Sequence, residues 1–219
     1  MNACSHQRSL DVIHDHMRAK TRTFGVLMFI PIHKELIADF VAVQATFGIG
    51  LPSELCERLK ALGSGYSARK ELLFFGNESS SRDLIEWNNF IVECGIYPPS
   101  QGGPLFIVEN CVGVQFGVRR AGNTHVYLAF DPNTFKALVI AETADDFINA
   151  LTNDMESVSL GIDIAQMIDS LGEVKPGYNF APYVSPLLGG SADPTNWSLA
   201  PVKARMTIAV KEFYAIRNS

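Results

Sequence analysis

The chain has 219 residues, 47% of them hydrophobic and 19% charged, with a net charge of −5. That balance excludes global disorder, which needs low hydrophobicity and a high net charge. It also argues against a nucleic-acid binder, whose phosphate contacts demand a basic excess.

Residues 1–23 are polar and without period and are expected as a flexible arm; they carry Arg8, Arg18, Lys20 and Arg22 in place of the apolar core of an export signal. The apolar run Phe24–Ile32 is nine residues long and contains Pro31, far short of the roughly twenty that cross a membrane. The expected compartment is therefore the cytoplasm. Residues 24–219 are expected as one α+β domain, in which 155–219 is a C-terminal extension; whether it forms a sub-lobe is left open.

Leu36, Phe40, Val43 and Phe47 recur at helical spacing and predict a helix over Glu35–Phe47, stopped by Gly48 and Gly50. A second helix is expected from Pro52, with Leu55, Leu59 and Leu62 as its buried stripe and Gly63 at its end. Leu72–Phe75 reads as a strand. Ser80 and Asp83 read as a capping box opening a third helix that buries Leu84, Trp87, Ile91 and Cys94. After a Pro/Gly loop over Tyr97–Gly103, four strands are expected: Leu105–Glu109, Val112–Arg119, His125–Phe130 and Lys136–Ala141. The links between them, such as Ala121-Gly122-Asn123 and Asp131-Pro132-Asn133, are too short for crossovers and demand antiparallel neighbours.

Thr143 and Asp146 make another capping box, for a helix over Ala144–Asn153; a further helix is expected from Val158 to Leu171. A Gly/Pro-rich segment over Val174–Pro201 precedes a terminal helix marked by Met206, Ala209, Val210, Phe213 and Ile216. The order predicts an α+β fold: a central antiparallel meander, helices packed on one face, and flanking helices at both ends.

Motifs for chemistry are sparse. His6, His14 and His16 lie in the arm with Cys4, at spacings that match no zinc pattern, so no metal site is expected. Cys56 and Cys94 fall on apolar helix faces, where a free thiol acts as a small hydrophobe. His125 is flanked by no nucleophile elbow, and Gly63 and Gly65 lack the Lys-Ser/Thr of a phosphate loop. No catalytic residue and no cofactor are expected.

Acidic residues give the stronger signal. No Lys or Arg lies between Lys136 and Lys175, while Glu142, Asp145, Asp146, Asp154, Glu156, Asp163, Asp169 and Glu173 do, for a local charge of −8. Helix starts explain some of these carboxylates. The remainder would form an acidic surface that attracts a basic partner.

Several phrases resemble one superfamily. Gly50-Leu51-Pro52-Ser53-Glu54-Leu55, leading to Gly63-Ser64-Gly65, is similar to the opening of SUKH domains. So is the run from Pro104-Leu105-Phe106-Ile107-Val108-Glu109, through Gly113, Gly117 and Val126-Tyr127-Leu128, to Thr143-Ala144-Asp145-Asp146-Phe147. Near the end, Leu171-Gly172-Glu173-Val174-Lys175-Pro176-Gly177, Tyr183-Val184-Ser185-Pro186-Leu187-Leu188-Gly189-Gly190 and Asn196 resemble the C-terminal part of type VI secretion DNase-immunity proteins. Trp197 stands where that pattern has Leu, and Tyr178 and Asn179 depart from it.

The resemblance implies an immunity protein that neutralises a cognate secreted bacterial toxin, a type VI secretion effector such as a nuclease, by one-to-one binding, the toxin being encoded by an adjacent gene. The toxin-binding surface is expected at Glu142, Asp145, Asp146, Asp154, Glu156 and Asp163. The alternatives are a non-catalytic regulatory or scaffold module of SUKH type, and an enzyme using His125 with a nearby acid.

Overall fold

The computed structural model describes residues 39–76 and 82–218, with side chains throughout except at 156 and 157. The N-terminal arm, its Cys4, His6, His14 and His16, and the run Phe24–Ile32 lie outside the described residues.

Helix α1 spans Phe40–Phe47. Its start is later than expected because Asp39 is extended (φ −71°, ψ 92°) and its carboxylate accepts the N–H groups of Val41 and Ala42. Helix α2 (Ser53–Leu62) follows Pro52 and buries Leu55 and Leu59. Helix α3 (Leu84–Glu93) is capped by Asp83, whose carboxylate accepts the Glu86 N–H at 2.8 Å. Asp83 thus holds the capping position itself; Ser80 lies outside the described residues.

The sheet is a six-stranded antiparallel meander among the described residues, in the order β1 (Gly65–Tyr66), β2 (Leu72–Phe74), β3 (Leu105–Asn110), β4 (Gln115–Ala121), β5 (Thr124–Asp131), β6 (Lys136–Ala141). Strand β4 begins three residues later than expected. Gly113 has φ +77° and sits in a turn, and the Asn110 side chain accepts the Val114 N–H at 2.8 Å. Gly117 serves close approach instead: a Cβ there would stand 2.2 Å from the Leu105 carbonyl oxygen.

Helices cover both faces of the sheet, where one was expected. Gln115 and Phe130 are paired across β4 and β5, so they share a face, and Tyr127, three residues from Phe130, points to the other. The indole of Trp87 in α3 donates to Gln115 Oε1 at 2.8 Å. On the opposite face, Phe147 of α4 (Ala144–Asn153) stacks on Tyr127 with ring centroids 4.9 Å apart. Phe147 is fully buried. Burial of that ring contributes about 2–3 kcal/mol and the stack roughly 1 more. The near-continuous apolar strand β3, buried at every position, reflects this double cover.

The helix expected over Val158–Leu171 is two shorter ones, α5 (Met155–Val158) and α6 (Ile164–Leu171). Leu160 and Gly161 both have positive φ (56° and 89°), which ends the first, and Asp163 caps the second by accepting the Gln166 N–H. The Gly/Pro-rich segment holds a two-stranded antiparallel sheet, β7 (Tyr178–Pro182) with β8 (Trp197–Pro201). Helix α7 (Val202–Arg217) then buries Met206, Ala209 and Val210 as the spacing predicted.

A buried polar network joins these parts. Glu109 pairs with Arg82, and Gln115 Nε2 donates to Glu109 Oε2 at 2.9 Å. The Arg82 guanidinium lies over the Trp87 ring, 4.1 Å from its centroid. Arg205 of α7 reaches under the β3–β4 turn and donates to the Val112 carbonyl at 2.6 Å. Burial pushes its pKa down, against the pull of Asp131 and Glu109.

Candidate functional site

The N-terminus of α4 is tightly organised. Thr143 caps it: its hydroxyl accepts the Asp146 N–H at 3.1 Å and donates to the Asp146 carboxylate at 2.8 Å. Asp145 turns to α2 and closes an ion pair with Arg58 Nε at 2.6 Å. The Arg58 pKa is pushed up by Asp145 first, then by Glu54 and Glu57 on its own helix. Glu54 and Glu57 are exposed, as are Glu142 and Asp146 beside Asp145. Glu54, Glu57 and Asp145, from α2 and the start of α4, thus surround Arg58.

Beneath this surface lies Tyr127. Its pKa is pushed up to about 12 by burial first, then by Glu54 and Cys56. The hydroxyl stays neutral at physiological pH.

The other half of the acidic stretch is arranged differently. Asp163 is consumed as the cap of α6. Asp169 pairs with Arg69 at 2.5 Å, and Glu173 with Lys70 at 3.2 Å. Arg69 and Lys70 lie in the turn between β1 and β2, and Lys70 adopts φ +56° there. Asp154 is exposed at the C-cap of α4, and the Glu156 side chain lies outside the described residues. The eight carboxylates thus divide: Asp145 joins Glu54 and Glu57 around Arg58, while Asp169 and Glu173 are paired with cations from elsewhere. The contribution of α2 had a signal in the sequence, since Glu54 and Glu57 are three apart on one helix face. The neutralising cations had none, because ion pairs distant in sequence leave no periodic trace.

A second surface feature is the loop after β7. Tyr183 is 72% exposed, Leu188 61% and Val184 48%. Exposed apolar side chains on a loose loop would be unremarkable, but this loop is pinned. Asn196 donates from Nδ2 to the carbonyls of Val184 and Ser191, both at 2.9 Å, and accepts the Val184 N–H at 3.0 Å. Ser185 accepts the Leu187 N–H at 3.3 Å. Gly190 is obligatory: a Cβ would fall 1.8 Å from the Val184 carbonyl oxygen. These contacts account physically for the Ser185-Pro186-Leu187-Leu188-Gly189-Gly190 and Asn196 pattern seen in the sequence.

His125 is engaged in structure. Its Nε2 lies 3.0 Å from the Gly50 carbonyl oxygen, linking β5 to the loop before α2. Cys111 is buried, and burial raises its thiol pKa steeply, which makes it a poor nucleophile. Among the described residues, no group of three or more His, Cys, Asp or Glu side chains is placed to hold a metal ion. No helix among them is long and apolar enough to cross a membrane.

No known family model and no curated protein matches the chain. Among solved structures, the chain is similar to Atu4351 from Agrobacterium tumefaciens, with 15% identity over 83% of this chain and 84% of that one and a TM-score of 0.58. The likeness is one of fold.

Proposed function

We propose that this protein is an immunity-type inhibitor that binds a basic toxin protein one to one and blocks it, without catalysing a reaction. The observation that carries the reading is the gathering of Glu54, Glu57 and Asp145 around Arg58, with the exposed Glu142 and Asp146 flanking Asp145 in the chain. Carboxylates held by a helix cap and an interhelical ion pair lose little conformational freedom on binding, and they steer a cationic partner during encounter. A nuclease toxin is one fitting partner, because a surface built for phosphates also attracts ordered carboxylates. The resemblance to SUKH domains and to DNase-immunity proteins supports the same reading, and Thr143, Asp145 and Asp146 belong to both the motif and the surface.

The test is functional. The product of the neighbouring gene is expressed in a heterologous bacterium with and without this chain. Protection by the wild type and loss of protection by Asp145→Lys with Asp146→Lys support the proposal; absence of toxicity or of protection contradicts it.

A second reading, a regulatory interaction module, is favoured by a different observation. Tyr183, Val184 and Leu188 form a pinned apolar presentation that suits a partner of any charge. Under that reading Tyr183→Ala weakens partner binding and the charge reversals do not.

A further inference from the structure

The meander has two edges with opposite characters. Strand β1 at one end is two residues long and buried. Strand β6 at the other is six residues long and exposed over Lys136, Ala137, Leu138 and Val139. Leu138 is opposite Ala129 and Val139 opposite Leu128, so the two point to opposite faces. Both are nonetheless exposed, by 38% and 48%. The outer backbone of β6 has no strand partner among the described residues. An apolar edge of this kind is a template for pairing, and it carries no proline or central charge to prevent it.

The charge pattern around β6 is self-complementary. Lys136 and Glu142 are exposed, three residues either side of Val139. Neither is in an ion pair among the described residues. Glu142 lies one residue beyond the end of β6, and six residue steps separate it from Lys136 by roughly 20 Å, too far to meet within one chain. If a second copy is laid antiparallel along β6 with the two-fold axis at Val139, each Lys136 faces the Glu142 of the other copy. Leu138 then faces Ile140, Ala137 faces Ala141, and Val139 faces itself. Cross-strand pairs of opposite charge and of apolar residues are the units that stabilise such a ladder.

We propose that the chain self-associates through β6 into a two-fold dimer with a continuous twelve-stranded sheet, in the register that pairs Lys136 with Glu142 of the second copy. The inference shares Glu142 with the proposed toxin surface but needs no toxin, and its test uses this chain alone. The contact is small, so the dimer belongs to the weak class of interfaces and forms in the micromolar range or above. The one feature that opposes it is the register irregularity between Tyr127 and Leu128, which puts a bulge at Ile140. Bulges blunt sheet edges, and a permanent monomer is the outcome the bulge would produce.

Sedimentation equilibrium of the purified chain, from low micromolar to near-millimolar concentration, is the test, with circular dichroism confirming that each variant is folded. The wild type is expected to shift from monomer to dimer. Val139→Glu sets two carboxylates face to face on the axis and is expected to leave only monomer. Lys136→Glu and Glu142→Lys are each expected to weaken the dimer by about tenfold or more. The double variant Lys136→Glu with Glu142→Lys restores both pairs and is expected to return to near the wild-type dissociation constant. A wild type that stays monomeric overturns the proposal. So does a dimer that Val139→Glu leaves intact, or a double variant no tighter than the single ones, which would place the contact or its register elsewhere.

Discussion

Asp145 of α4 and Arg58 of α2 meet at 2.6 Å and fasten together two helices that lie on the same side of the sheet. Both side chains remain about half exposed, so the pair does little for stability. Its consequence is positional. It gathers Glu54, Glu57 and Asp145 around one guanidinium and so builds the acidic surface from two segments of the chain.

Charge reversal at that surface should separate binding from folding. Asp145→Asn is expected to change the unfolding free energy by less than about 1 kcal/mol. Asp145→Lys with Asp146→Lys also loses the capping box and should cost roughly 1–2 kcal/mol. The same double reversal is expected to slow association with a cationic partner by about tenfold or more at low salt, and to flatten the salt dependence. Urea unfolding and stopped-flow association measure the two effects.

Arg205 and Gly113 form one locked unit. A Cβ on Gly113 would stand 1.8 Å from Arg205 Nη1, and φ is +77°. Arg205→Met leaves the buried Val112 carbonyl without its donor and is expected to destabilise by about 2–4 kcal/mol. Gly113→Ala is expected to cost a similar amount. Combined, the two should cost clearly less than their sum, because the clash disappears while the backbone strain stays. Additive values in a denaturant double-mutant cycle would refute the lock.

Tyr127 gives a pH signature. Its folded pKa of about 12 lies above the ordinary tyrosine value near 10. The folded state therefore holds the proton more tightly, and the stabilisation is complete below pH ~10 and lost as pH rises toward 12. An absorbance titration at alkaline pH should show a tyrosine ionising in that upper window, and Tyr127→Phe should remove it. Tyr66, also raised by burial, titrates late as well and remains in the variant.

The loop of Tyr183 tests rigidity directly. Asn196→Ala removes three hydrogen bonds and is expected to raise amide exchange at Val184 by at least about tenfold while lowering global stability by only about 1–2 kcal/mol. Tyr183→Ala, at an exposed side chain, should leave both unchanged.

Local signals carried much of the fold. Strand β6 and helix α4 fall at the expected residues, because turn formers and the Thr143 cap bound them sharply. The α7 stripe of Met206, Ala209 and Val210 was equally plain. The break at Leu160–Gly161 was hidden, since the apolar period runs across it and a positive φ at Leu160 depends on tertiary packing. Strands β7 and β8 were masked by Gly and Pro: Pro186, Gly189, Gly190 and Pro194 lie in the loop between them, and Pro182 and Pro201 end the strands themselves. The double cover of the sheet was written in β3, where all six positions are buried. For the site, net charge along the chain was a poor guide to charge on the surface: Arg69 and Lys70 silence Asp169 and Glu173, and Glu54 and Glu57 reinforce Asp145 and Asp146.

The central claim is one-to-one binding of a basic toxin protein at the α2/α4 surface. Isothermal titration of the purified chain with the purified product of the neighbouring gene tests it most directly. A stoichiometry near one, with submicromolar affinity that Asp145→Lys with Asp146→Lys weakens by about a hundredfold or more, is the predicted result. No heat of binding, or an affinity indifferent to those reversals, contradicts the account.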